Sequence, residues 1–211
     1  MCFSVPLWRR RIYKKHNLRL LKEGFNEVQI ISIKDEWDSM ARLNPEHIKA
    51  VIEMINEAPF FKHMSMRVTE LDTGVSIVIG SIGTKHMNPF GGLHGGVFSS
   101  IIDTAAYWSA YCDLQEDQGL ITIDLKVDLL APVLDRTVLV KGKRLKSGNT
   151  LFLTEAQMFD GQGRLLAHGT SRLMTTHHKQ TIQKAVDFNS TGKLPVKFIS
   201  DLPPGTNGIS T

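Results

Sequence analysis

The segment from Gly95 to Cys112 is the feature that most limits how this chain can fold, because it is apolar around almost its whole circumference. It opens with two glycines, continues in a helical pattern and carries one carboxylate, Asp103. A helix of this kind must be buried on most sides, and a charge within it is costly unless something uses or satisfies it. We therefore expect residues 95–112 to form the buried central helix of the domain.

Segments with strand character surround this helix and are joined by short turns. A helix is predicted at 45–57, a hairpin within 64–82, and further strands at 120–130, 136–146, 150–159 and 164–175. Turn-length connections between consecutive strands mean antiparallel pairing. The pattern predicts an α+β fold in which a curved antiparallel sheet wraps around one long apolar helix.

The predicted strand at 120–130 has a regular alternation of apolar and polar residues. One face would carry Ile121, Ile123, Leu125, Val127 and Leu129, and the other Thr122, Asp124, Lys126 and Asp128. On this reading, Thr122 lies on the polar face of its strand.

The turn before the central helix is suited to binding a ligand through the backbone. Gly95 and Gly96 have no side chains, so a substrate can approach the amide N–H groups at the helix N-terminus. These donors and the helix dipole favour negative charge on the ligand.

These motifs together resemble the hotdog-fold acyl-CoA thioesterases of the phenylacetate-degradation (PaaI-like) type. The resemblance covers about residues 45–176 and rests on Asn88, His94-Gly95-Gly96, Asp103 nine residues after the histidine, Thr122–Asp124, Leu130–Pro132 and Asp160–Gly169. It implies the hotdog fold, hydrolysis of acyl-CoA to free acid and CoA, and no cofactor, since CoA is part of the substrate.

The resemblance also implies a role for each residue of the motif. The amide of Gly95 would polarise the thioester carbonyl, and Asp103 would act as nucleophile or as general base on water. Asn88 and His94 would hold the substrate or the water, and Thr122 would orient the acid or the water. Residues that would contact the CoA moiety are Gly96, Arg144, Lys146, Ser147 and Gly148.

Each of these residues also has a purely structural alternative. Asp103 could be a buried acid satisfied by serine or threonine neighbours, and His94 could simply cap the turn. Asn88 could be a turn residue before Pro89, and Thr122 could face solvent. The basic hairpin at 143–148 could be a solvated sheet edge. No metal site is predicted, because the adjacent His177 and His178 have no third ligand nearby in the sequence.

The spacing within the helix bears on the assembly. Asp103 lies roughly 13 Å along the helix from His94, so one chain would struggle to bring the turn and the acid together. The resemblance implies that two subunits share the site across a two-fold axis. We therefore expect a homodimer with the site at its interface, arranged as a dimer of dimers.

Two other functions share this fold and stay open at this point. A non-catalytic acyl-CoA-binding or regulatory protein would keep the glycine turn without turnover. An enoyl-CoA hydratase would need a histidine paired with an acid for proton transfer beside the thioester. The acyl group cannot be read from the aromatic residues of the helix, since aromatics at helical spacing are typical of a core.

The positive charge of the chain is confined to its start. Residues 1–22 contain seven basic residues and no acid, and the other residues carry a net charge of −3, which gives no electrostatic case for nucleic acid. We expect a basic extension at 1–39, a thioesterase domain at 40–176 and a polar tail at 177–211. The extension could be a targeting segment to an organelle, a segment that binds anionic lipid or nucleic acid, or a disordered arm from an upstream start codon.

The remaining composition predicts the compartment. Two cysteines make no disulfide framework, which favours a reducing compartment such as the cytoplasm. No apolar run approaches the length of a membrane-spanning helix.

Overall fold

The computed structural model describes residues 42–190 and 192–199. The predicted basic extension at 1–39 and the last part of the predicted tail lie outside these residues. The chain divides into two units, and the described part of the smaller one is a short antiparallel pair of strands, β1 (Arg42–Leu43) and β8 (Phe198–Ile199).

The larger unit, Pro45–Lys197, contains a six-stranded antiparallel sheet in the order β2-β3-β5-β6-β7-β4. Its helices are α1 (Pro45–Glu57), α2 (Pro59–His63), α3 (Gly95–Trp108) and α4 (Ile182–Asn189). Its strands are β2 (Met66–Asp72), β3 (Val75–Ser81), β4 (Gln118–Leu129), β5 (Thr137–Lys146), β6 (Leu151–Phe159) and β7 (Leu165–His177). Within the described residues, no helix has the length and hydropathy needed to cross a membrane.

The sheet packs closely around α3, as the apolar pattern predicts. A Cβ atom at Gly142 would lie 2.1 Å from the carbonyl oxygen of Ala105, and one at Gly169 would lie 2.5 Å from a methyl of Ile102. Only glycine permits this approach of strand to helix. The Ser76 hydroxyl donates to the same Ala105 carbonyl at 2.6 Å. The predicted α+β fold with one central helix is confirmed, although α3 ends at Trp108 and a 3-10 turn follows.

A β-bulge in β4 corrects the predicted alternation of that strand. Thr122 pairs with Leu173 on β7, but Asp124 pairs with the next residue, Arg172, so Ile123 is an extra residue. Leu173 is buried against the helix, and Thr122 shares its face. The prediction that Thr122 lies on the polar face is therefore wrong, because the bulge reverses the faces of the residues on either side of it.

The two edges of the sheet differ in how their backbone groups are satisfied. At the β2 edge, the side chain of Asn56 on α1 pairs with both backbone groups of Val68: Nδ2 donates to the carbonyl at 2.9 Å, and Oδ1 accepts from the amide at 2.8 Å. This mimics a neighbouring strand and covers the edge at Val68. Among the described strands, β4 at the other edge pairs only with β7.

The chain after β7 packs onto the domain through a buried lysine. Lys197 is 1% exposed, and its ammonium group donates to the carbonyl oxygens of Tyr111 at 2.7 Å and Leu114 at 2.6 Å. It also lies over the Tyr111 ring. Burial lowers the pKa of Lys197 to about 8. The prediction of a polar tail from residue 177 did not include this contact or α4.

We expect Asn56→Ala to lower the free energy of unfolding by about 2 kcal/mol, because both backbone groups of Val68 lose their partner. Denaturant unfolding measures this. Glu53→Ala changes an exposed residue of the same helix and should leave stability within about 0.5 kcal/mol of wild type. Equal stability of the two variants would show that the β2 edge does not depend on Asn56.

Candidate active site

The loop before α3 is shaped by Asn88. Its Oδ1 accepts hydrogen bonds from the amides of Phe90 at 2.9 Å and Gly92 at 3.1 Å. Gly91 has a φ of +81°, a conformation that favours glycine. Asn88 therefore acts as a turn residue, which is the structural alternative given for it above. Its Nδ2 has no acceptor within the part of the chain that the structure describes, so it remains able to donate to a ligand.

The first turn of α3 presents one free backbone donor. His94 is the N-cap, and its Nδ1 accepts from the amide of Gly96 at 2.9 Å. The next amide, of Val97, donates to the carbonyl of His94 at 2.9 Å. The amide of Gly95 has no acceptor among residues 42–190 and 192–199. Of the first three amides, Gly95 alone is therefore available to a substrate oxygen.

His94 has a capping role that also fixes its tautomer. Because Nδ1 accepts a hydrogen bond, the proton of the neutral ring lies on Nε2. The residue is exposed, so this N–H faces solvent beside the glycine turn.

Asp103 is half-buried on α3 and has one hydrogen-bond partner. The Thr122 hydroxyl donates to its Oδ1 at 3.1 Å, and no described donor contacts its Oδ2. Burial raises the pKa of Asp103 above its ordinary value, and the Thr122 hydrogen bond opposes that rise. Burial also raises the pKa of the neighbouring Tyr107 to about 12, so this phenol stays protonated and Asp103 carries the one carboxylate of α3.

Within one chain the donor and the acid are separated along the helix. Gly95 and Asp103 are eight residues apart, about 12 Å along the axis. The structure brings Thr122 to Asp103, and it brings a different end of β4 to Gly95. A methyl of Leu129 lies 3.6 Å from the Cβ position of Gly95. The sequence pattern placed Leu129 on the apolar face of its strand but did not connect it with the glycine turn.

The basic hairpin lies near the opposite end of α3 from the glycine turn. Arg144 is an ion-pair partner of Asp113, just beyond α3, with Nε and Oδ2 2.5 Å apart, and its side chain is 13% exposed. This pairing favours a structural role for Arg144 over a contact with CoA. Lys146 and Gly148 are exposed and Ser147 is partly exposed, so these three remain accessible.

The aromatic residues around the site fall into two groups. Phe98 and Tyr111 are buried in the core, whereas Phe90 is 94% exposed on the loop that Asn88 shapes. No three His, Cys, Asp or Glu side chains within the described ranges are grouped so that they could hold a metal ion.

Comparison with known proteins matches the centre of the chain to a family. Residues 90–167, which include the glycine turn, Asp103 and Thr122, match the model of the Thioesterase superfamily. Human acyl-coenzyme A thioesterase 13 is 23% identical over 128 residues, which are 59% of this chain and 91% of that protein. A Saccharolobus solfataricus protein named as an esterase is 29% identical over 119 residues, 56% of this chain and 84% of its own length.

Solved structures show the same architecture. A Haemophilus influenzae thioesterase superimposes with a TM-score of 0.58 at 16% identity, covering 63% of this chain and 92% of its own. A thioesterase family protein from Silicibacter pomeroyi gives 0.55 at 22% identity, covering 62% and 98%. The fold is therefore the hotdog fold, which confirms that expectation. The similarity to the thioesterase superfamily extends over the segment that carries the site.

We expect Thr122→Val to move the acidic limb of the pH–rate profile to higher pH and to lower kcat by about tenfold. Valine keeps the shape but removes the hydrogen bond that lowers the pKa of Asp103. Since the acid acts in its ionised form, a higher pKa leaves less of it ionised at a given acidic pH. Steady-state rates between pH 4 and 8 measure this.

Thr122→Ser retains the hydroxyl and is the matched control. Its acidic limb should coincide with that of the wild type. A Thr122→Val profile with an unmoved limb would contradict the assignment of Asp103 as the titrating group.

Proposed function

We propose that this protein is an acyl-CoA thioesterase that hydrolyses its substrate to free acid and CoA at a site shared by two copies of the chain. The observation that carries the proposal is the half-buried carboxylate of Asp103. It is held by Thr122 through one oxygen, and its other oxygen has no partner among the described residues. A carboxylate left in this state within an apolar helix is costly to the fold, which supports a chemical role.

The free amide of Gly95 supplies the hydrogen-bond donor for the thioester oxygen. It donates to the thioester oxygen, where negative charge develops as the carbonyl is attacked. The N-terminal dipole of α3 favours the same charge. Asp103 attacks the carbonyl carbon as nucleophile, which breaks the C–S bond, releases CoA as thiolate and leaves an anhydride that water hydrolyses. Alternatively, Asp103 removes a proton from water, whose oxygen attacks the carbonyl carbon and displaces the CoA thiolate. The Nε2 proton of His94, which precedes Gly95, and the Nδ2 of Asn88 on the preceding loop are further donors for substrate or water.

A dimer is part of the proposal because the sheet has an open edge at β4. Asn56 covers the β2 edge at Val68, whereas β4 offers an unpaired edge with exposed Ile123 and Leu129. An open edge of this kind is a template for another strand. Two-fold pairing through β4 satisfies the open edges of both copies, so strand pairing at this edge stops at two subunits.

The antiparallel arrangement of such a dimer supports a role for the basic hairpin. Within one chain, Lys146, Ser147 and Gly148 lie near the far end of α3 from Gly95. In a two-fold dimer the partner helix runs the opposite way, so the partner hairpin lies at the same end of the joined sheet as the glycine turn. Its lysine and amides suit the phosphates of CoA. We also propose that the protein is a thioesterase of the PaaI-like type, that it forms a dimer of dimers, and that it is located in the cytoplasm.

We expect Asp103→Asn to lower the rate of acyl-CoA hydrolysis by at least about a hundredfold, because asparagine neither attacks nor accepts a proton. Release of CoA thiol from a panel of aromatic and medium-chain acyl-CoAs measures this. The same variant should have a higher free energy of unfolding than wild type at pH 7.

The sign of the stability change follows from the raised pKa of Asp103. Between the unfolded and folded pKa values the native state binds more protons, so stability falls as pH rises through that window. At pH 7 the wild type bears the full cost of the buried charge, and asparagine removes it while still accepting from Thr122. Asp187→Asn, on the exposed α4, should change neither property.

Full activity of Asp103→Asn would overturn the proposal. Tight binding of acyl-CoA by the wild type without any turnover would favour a non-catalytic binding protein instead.

A further inference from the structure

The open edge of β4 is blocked at its start by the chain that follows β7. Gly119 pairs with Thr176 on β7 and, on its other side, forms a bridge with Thr181. A Cβ atom at Gly119 would lie 2.2 Å from the carbonyl oxygen of Gln180 and 2.3 Å from that of Lys179. Residues 179–181, which we call the edge stop, therefore lie directly against the backbone of β4 at a position that only glycine permits.

The edge stop is held in place by local bonds. The hydroxyl of Thr176 donates to the carbonyl of Lys179 at 2.6 Å, and the amide of His178 donates to the carbonyl of Asp117 at 3.0 Å. His178 and Gln180 have φ values of 55° and 51°, which turn the chain back onto β4. The stop thus leaves about Leu120–Leu129 as the open part of the edge.

Two-fold pairing through this stretch allows few registers. Both helices lie on one side of the joined sheet only if residues opposite each other share a face. Two-fold symmetry then requires that one residue lies on the axis, opposite its own copy. The bulge at Ile123 is unpaired. The residues that could lie on the two-fold axis are Thr122, Leu125 and Val127 on the helix side, and Asp124 and Lys126 on the outer side.

Charges on the outer face exclude two of these registers. Asp124 pairs with Arg172 of its own chain, and on the axis these two groups would face a second Asp124 and a second Arg172. Lys126 on the axis would face a second Lys126. Like charges directly opposite each other are destabilising. With Leu125 on the axis, Asp124 instead faces Lys126 of the partner subunit, and this pair occurs twice.

The edge stop and the strand length exclude the other two registers. With Thr122 on the axis, Lys126 would face Gly119 of the partner subunit, where Thr181 already lies. With Val127 on the axis, pairing would cover only the second half of β4 and leave the first half open. Leu125 remains as the position that uses the whole open edge.

We propose that the edge stop and the Asp124–Lys126 pairs set the register of the dimer, with Leu125 opposite its own copy. The proposal rests on the β4-paired dimer of the proposed function. In this register Leu129, which touches Gly95, lies opposite Leu120 of the partner subunit. Thr122, which holds Asp103, is two residues from Leu120 on the same face. The register therefore positions the donor of one chain beside the acid of the other.

Cysteine cross-linking of the full-length chain tests the register without any measurement of activity. Cys112 is buried, and Cys2→Ser provides the background. We expect Leu125→Cys to form a disulfide-linked dimer under mild oxidation, since opposite Cα atoms lie about 5 Å apart. Thr122→Cys and Val127→Cys should form at least about tenfold less. A stronger link at 122 or 127 would overturn the register while leaving the dimer and the proposed function intact.

A pair of charge reversals tests the electrostatic part. Lys126 and Asp128 pair within one chain at 3.1 Å, so Lys126→Glu and Asp128→Lys both lose that pair. Only Lys126→Glu sets like charges against Asp124 of the partner subunit, and it should weaken dimerisation about tenfold. Asp128→Lys should leave the dimerisation constant within about twofold. Equal weakening by both, measured by analytical ultracentrifugation, would contradict the assigned pairs.

Removal of the stop gives the last test. Gly119→Ala would push residues 179–181 away, and the Thr122→Cys cross-link should then appear. Gly83→Ala has no atom within 4 Å of its Cβ and is the matched control, in which that link should stay absent. Circular dichroism verifies that both variants fold. If Gly119→Ala folds as the wild type does and gives no new link, the stop does not set the register.

Discussion

The hydrogen bond between Thr122 and Asp103 connects the two elements on which the site depends, the buried helix and the open edge of the sheet. It exists because a bulge at Ile123 places Thr122 on the helix side of β4. Without the bulge, the threonine would face away and the carboxylate would be buried without a donor. The same bond opposes the rise in the pKa of Asp103 that burial causes, so it helps to keep the acid ionised where the chemistry requires a base.

The hydrogen bonding of the glycine turn is equally specific. The Nδ1 of His94 accepts a hydrogen bond from the amide of Gly96, and Asn88 holds the loop before it. The amide of Gly95 has no internal acceptor among the described residues. The structural roles of these side chains are therefore compatible with the proposed chemical ones. The bonds that cap the helix and hold the loop leave the Gly95 amide, the Asn88 Nδ2 and the His94 Nε2 without a partner among the described residues.

Much of the fold follows from patterns that the sequence displays. The apolar segment that contains Asp103 predicts the central helix, and turn signals separate every strand of the six-stranded sheet. The bulge at Ile123 was missed because apolar and polar residues alternate through it without a break, and the shift exists only in the pairing with β7. The burial of Lys197 was missed because a lysine in a polar segment normally faces solvent. Its partners are backbone carbonyls, which have no signature in sequence.

The central claim is that each site combines the Gly95 amide of one subunit with the Asp103 carboxylate of the other. Subunit mixing tests it directly. Asp103→Asn and Gly95→Val, whose side chain would obstruct the approach to the amide, are each expected to be inactive alone. If the claim holds, unfolding and refolding them together in equal amounts should restore about a quarter of wild-type activity, since half of the dimers would be mixed and each would have one intact site. If both residues serve the same chain, the mixture will stay inactive even though mixed dimers form.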